Sequence, residues 1–192
     1  AQVEAYAFVD SKSPTPDAPT RSRVVVTPGL RVHGEPWRGL EYDLEGYAQS
    51  GRFDGQPHRA WSGAATVHYA HGVGGRPQPG RADPRALRPG VMATAVFASG
   101  EGCETEPDQA APCGDGPHRA FDSTYGSRHR YLGYADWFAP TNVRAVGAGP
   151  ELDVGAWLTA RVHGHLFWFD QPDGVWKRAN LSTVGAGWDP GA

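Results

Sequence analysis

Glycine and proline interrupt this chain so often that no long helix can be drawn through it: 26 glycines and 17 prolines fall among 192 residues. Inside a helix each glycine costs about 1 kcal/mol relative to alanine, and each proline about 3 kcal/mol. The same residues supply turns, so the economical reading is many strands joined by turns. The expected fold class is mainly β: an antiparallel β-sandwich or β-barrel, one domain over residues 1–192, with long Gly/Pro-rich loops and at most one short helix. The length is enough to bury a core without help from metal or several disulfides.

Charge excludes more than it suggests. A net charge of −3 offers no electrostatic footprint for nucleic acid. No apolar run approaches the roughly 18 residues of a helical membrane span. The chain opens Ala1-Gln2-Val3 without methionine, which reads as the product of leader removal and predicts a secreted, extracellular protein. Cys103 and Cys113 are the only cysteines, in a loop rich in Glu, Asp, Pro and Gly. That setting predicts a disulfide between them, one that pins a loop and leaves the fold to other forces.

Alternation locates strands. Val3 to Val9, Val24 to Val26, Leu40 to Glu45, Ala65 to Ala70 and Val91 to Ala98 all read as extended segments, most with period two. Gly72 to Pro89 reads as a long excursion, and a short helix is placed near Tyr131 to Phe138. The sequence Asp54-Gly55-Gln56-Pro57-His58-Arg59-Ala60-Trp61 is echoed by Asp115-Gly116-Pro117-His118-Arg119-Ala120-Phe121. The flanks do not align, so chance likeness in a biased composition is preferred over a duplicated half-domain.

The clearest alternation lies near the end. Val154, Ala156, Leu158, Ala160, Val162, Leu166 and Trp168 share one face of a long strand, with Trp157, Thr159, Arg161, His163, His165, Phe167 and Phe169 on the other. Asp170 to Gly174 is turn chemistry. A return strand from Val175 to Val184 then completes a hairpin, in the register that sets Phe169 opposite Gly174 and buries the apolar face. Phe167 would face Trp176, His165 would face Arg178, and His163 would face Asn180.

That outer hairpin face is the candidate site. Arg161, His163, His165, Phe167, Trp176, Arg178 and Asn180 combine flat apolar rings with directional hydrogen-bonding groups, as a sugar or small planar ligand requires. The bland alternative is a face packed under other structure. His163 and His165, at i and i+2, point the same way and suit one metal ion, the only cofactor these residues invite; a third ligand would come from His68, His71 or His33. Glu41, Asp43 and Glu45 share a face but read as an ordinary solvent-facing stripe. No nucleophile elbow, Walker loop or dinucleotide loop occurs. Asn180-Leu181-Ser182 matches a glycosylation sequon.

Three functions follow. The leading one is a secreted, non-catalytic binding or structural module, recognising carbohydrate, a small molecule or a protein partner at the hairpin face. The second is a metal-dependent or histidine-based enzyme centred on His163 and His165. The third is a subunit of an extracellular assembly that exchanges its first strand, Ala1 to Val9.

Overall fold

A computed structural model describes residues 1–13, 22–53, 55–71, 87–102, 116–123, 139–154, 158–177 and 183–186. These residues form strands and turns with no helix, as the glycine and proline content demands. The main body is one antiparallel sheet of eight strands in chain order. It comprises β1 (Gln2–Lys12), β2 (Arg23–Trp37), β3 (Leu40–Phe53), β4 (Gln56–Ala70), β5 (Leu87–Ala98), β6 (Val143–Val154), β7 (Leu158–Arg161) and β8 (Gly164–Phe169). A separate two-stranded sheet joins β9 (Val175–Lys177) to β10 (Thr183–Ala186).

From β1 to β7 each strand pairs with the next in sequence, and β8 pairs with β6. The β2–β3 and β3–β4 reversals are tight, with Trp37 opposite Leu40 and Phe53 opposite Gln56. Gly39 (φ 83°) and Gly55 (φ 82°) supply the left-handed backbone these turns need. Strands β7 and β8 both lie along β6, and their registers are continuous: Glu151 faces Arg161 and Ala148 faces Gly164. They are therefore one strand, broken at Val162 and His163, where Pro150 of β6 has no N–H to offer and only its carbonyl bonds the Val162 amide at 3.1 Å. The sheet's edges are β1 and this broken strand; they do not pair with each other among the described residues.

The terminal hairpin expected from the sequence is replaced. The chain reverses between Val154 and Leu158, so β8 pairs with β6, and Phe169 faces Val143 rather than Gly174. Val175 pairs with Ala186 in the small sheet. The local pattern was compatible with either arrangement, because period two fixes faces but not partners.

Burial alternates with period two along much of β2, β4, β5 and β6, with its sign inverted relative to a water-soluble sheet. The apolar face lies open: Leu30 is 51% exposed, Leu166 69% and Val162 72%. The covered face carries Thr27, Asp43, Gln49, His58, Ser62, His68, Thr94, Glu151 and Asp153, all buried. We call it the inner face. The apolar row of the last strand, expected to be buried, is thus outside, and the row with His165 and Phe167 is inside. One apolar cluster occupies the inner face at the end of the sheet near Phe53: Ala60, Val96, Ala98, Phe121, Val143 and Ala145, with Tyr47, Ala64 and Phe167 against it.

Candidate functional site on the inner face

Register aligns the inner face into rows. Tyr6, Gly29, Tyr47, Ser62, Ala98, Val143 and Phe169 stand in one row across seven strands; Glu4, Arg31, Glu45, Ala64, Val96, Ala145 and Phe167 stand in the next. Several rings lie over inward glycines. A Cβ on Gly29 would sit 2.3 Å from the Tyr6 ring, and one on Gly147 would sit 2.4 Å from His165 Nδ1. The glycines are beds for these side chains, which is why they stand mid-strand rather than in turns.

Three polar clusters divide this face. In the first, Arg31 donates to both carboxylate oxygens of Asp43 at 2.9 and 2.7 Å and reaches Glu4 at 3.4 Å. Tyr6 donates its hydroxyl to Glu45 at 2.5 Å and meets Tyr47 edge to face. Burial, then the bond to Glu45, pushes the Tyr6 phenol up to about 12. Burial and the same two neighbours push Tyr47 up further, so both phenols stay neutral donors over the working pH range. Arg31 is held still more firmly charged by Asp43.

The second cluster lies toward the Tyr69 end. Glu151 accepts from Arg161 at 2.7 Å and stands 3.4 Å from His68 Nε2, while Glu41 approaches the other imidazole nitrogen at 3.9 Å. Thr159 donates to Asp153 at 2.6 Å. His163 and His165 stand with ring centroids 6.3 Å apart, and His165 stacks on Phe167 at 5.8 Å. Among the described residues, four buried atoms here have no hydrogen-bond partner: His68 Nδ1, Glu151 Oε2, His163 Nε2 and His165 Nδ1.

The third cluster, at the Phe53 end, joins the sheet to residues 116–123, which fold back onto the inner face. His118 makes an isolated parallel bridge to His58. The Arg59 amide donates to the His118 carbonyl at 2.9 Å, and the His118 amide to that of Pro57 at 2.8 Å. The two echoed sequences are therefore bridged in parallel at their matching histidines. Ser99 ties them together, its hydroxyl accepting from the Trp61 amide and donating to the Arg119 carbonyl.

Of the residues singled out from sequence, Arg161, His163, His165 and Phe167 share the inner face. Trp176 is in the small sheet, opposite Gly185. Arg178, Asn180, Cys103, Cys113 and the segment Tyr131 to Phe138 lie outside the described residues. His68 stands on the same face but is separated from His163 and His165 by β5 and β6, whereas His33 lies by Glu4 at 3.4 Å and His71 is exposed. No three His, Cys, Asp or Glu side chains among the described residues are placed to hold a metal ion. The Glu41, Asp43 and Glu45 stripe does share a face, the covered one. Sequence reasoning missed Arg31, Tyr6, Tyr47 and the His58–His118 pair; the usable signal was the spacing of charged and aromatic residues opposite inward glycines.

The sequence model of the alginate export family matches residues 1–187. No curated protein and no solved structure matches the chain. The family's description names a polysaccharide and its passage outward, which narrows the carbohydrate expectation to that coarse link and moves the secreted placement to the cell envelope. With an inverted antiparallel sheet and a match running over nearly its whole length, this chain belongs to the alginate export family.

Proposed function

We propose that the sheet is part of the wall of an outer-membrane export pore, its apolar face against lipid and its inner face along the path of a hydrated polysaccharide. The inversion of the faces carries this reading. A backbone crossing lipid must bond internally, and a sheet does so strand to strand. Side chains then alternate apolar outward and polar inward, as they do here. Aromatics mark the two borders: Trp61, Phe97 and Trp168 toward the Phe53 end, and Trp37, Tyr42 and Tyr69 toward the other. Trp61 to Tyr69 spans nine residues of β4, within the roughly 9–11 residues with which a tilted strand crosses a bilayer core. That no helix is long and apolar enough to cross a membrane is consistent with crossing by strands.

On the inner face the charges are arranged in pairs. Arg31 and Arg161, each held by a carboxylate and each partly exposed, are the groups that would meet a uronate chain. Pairing tempers their attraction, so a sugar acid slides along them rather than binding tightly.

Single nitroxide labels walked along β4 in lipid vesicles test the reading. Oxygen accessibility should peak at positions 61, 63, 65, 67 and 69, with polar-reagent accessibility out of phase. Labels at those positions that reach water as freely as any surface site would overturn it.

A further inference from the structure

The hydrogen bonds around His58 fix which of its nitrogens carries the proton. The Asp122 amide donates to Gln49 Oε1 at 2.9 Å, and Gln49 Nε2 donates to the Asp122 carbonyl at 2.9 Å. The Gln49 amide is thereby oriented, and its Oε1 faces His58 Nε2 at 3.1 Å. His58 must carry its proton on Nε2. Its Nδ1 is then an acceptor, and His118 Nδ1, 3.0 Å away, must donate. The remaining His118 nitrogen, Nε2, lies 3.2 Å from a Glu101 oxygen.

We propose that this proton order latches residues 116–123 onto the inner face of β4, and that acid opens the latch by placing a second proton on His58. Both imidazoles are sequestered, His58 at 1% exposure and His118 at 6%. A second proton on His58 would set two N–H groups face to face at 3.0 Å. Charged groups among the described residues surround the pair. Arg23 pairs with Asp10 and Asp122 and lies over the Phe53 ring, which stacks on His118 at 5.2 Å; Glu101 holds the far side of His118. The Asp122 carboxylate beside Arg23 favours a proton on His58, but less than burial and His118 oppose it.

The sign follows from linkage. Burial first, then the charge of His118, lowers His58 from 6.5 to about 4. Docking therefore excludes a proton that His58 accepts once the segment is released. The latch holds fully above about pH 6.5 and weakens as pH falls toward 4, by roughly thirtyfold at pH 5. The idea needs only the contact between this segment and β4, and stands whether or not the apolar face meets lipid.

Residue-resolved amide hydrogen exchange on the full chain, corrected for intrinsic rates, tests it. Protection of the His118 and Phe121 amides should fall about thirtyfold from pH 7.5 to pH 5, with mid-strand β4 amides unchanged. In His58→Gln, which can still donate to Gln49 and accept from His118, that pH dependence should vanish. Imidazole nitrogen shifts of the unmodified protein give a second check, independent of how the variant folds. A protonated His58 Nδ1 at neutral pH, pH-independent protection in the native chain, or equal loss in the variant would overturn the proposal.

Discussion

The two faces of this sheet are built from one alternation and obey opposite rules. Outside, Val26, Leu30, Val67, Val91, Val146 and Leu166 make a smooth apolar surface with little to bond. Inside, polar side chains pair across strands: Arg31 with Asp43, Tyr6 with Glu45, Arg161 with Glu151. The contrast teaches that burial and polarity are separable. A sheet needs one face unlike the other, and the surroundings decide which of them is outermost.

The sharpest way to break the contrast is a charge on the outer face. Val146→Arg, on the row shared with Ala95 and Leu166, should cost about 2–4 kcal/mol of stability in lipid vesicles, read by urea unfolding. Thr66→Arg, on the inner face, should insert normally and change ion conductance instead. Equal unfolding penalties would erase the difference between the faces.

A smaller effect is expected where the inner face relies on empty space. A Cβ on Gly149 would lie 1.8 Å from the Val162 carbonyl and 2.8 Å from the His163 Cα. Both are backbone atoms, so Gly149→Ala should part β6 from its broken partner at a cost of up to about 3 kcal/mol. Loss of hydrogen-exchange protection confined to β7 and β8 would be the signature. At the Phe53 end, Asn142 holds a left-handed backbone (φ 49°), accepts from the Gln171 amide and donates to the Gln171 carbonyl. Asn142→Ala should cost about 2 kcal/mol by thermal or urea unfolding.

Least costly is Tyr6→Phe, which removes one hydrogen bond to Glu45 and should destabilise by about 1 kcal/mol. Its use lies in pH. The Tyr6 phenol is raised to about 12, so its contribution is complete below about pH 10 and is lost as pH rises toward 12. Phenolate absorbance at alkaline pH should show one fewer late-titrating group in the variant; an unchanged titration would separate Tyr6 from this cluster.

Much of the fold was legible. Val3 to Val9, Leu40 to Glu45, Ala65 to Ala70 and Val91 to Ala98 all fall inside strands. Strand length was not legible, because Gly29, Gly46, Gly63 and Gly147 signal turns in sequence yet occupy strands in space, two of them beneath rings. Nor was the sign of the faces. Alternation says that two surroundings differ, and a water-soluble reading assigns the apolar one inward by default. His163 and His165 were placed on the correct common face for that reason, with its exposure inverted. The echo around His58 and His118 was visible as a repeated His-Arg-Ala. Their meeting was not, because a bridge across sixty residues leaves no local trace.

Pairing between chain neighbours from β1 to β7 has a consequence for size. Such a meander grows by whole hairpins, without threading and without disturbing the register of strands already in place. Each added strand widens the sheet by about 4.8 Å, so the circumference of a wall built this way comes in countable steps. In the pore proposed above, the bore would be set by an integer, the number of hairpins, and the side chains along the inner rows would adjust what it admits.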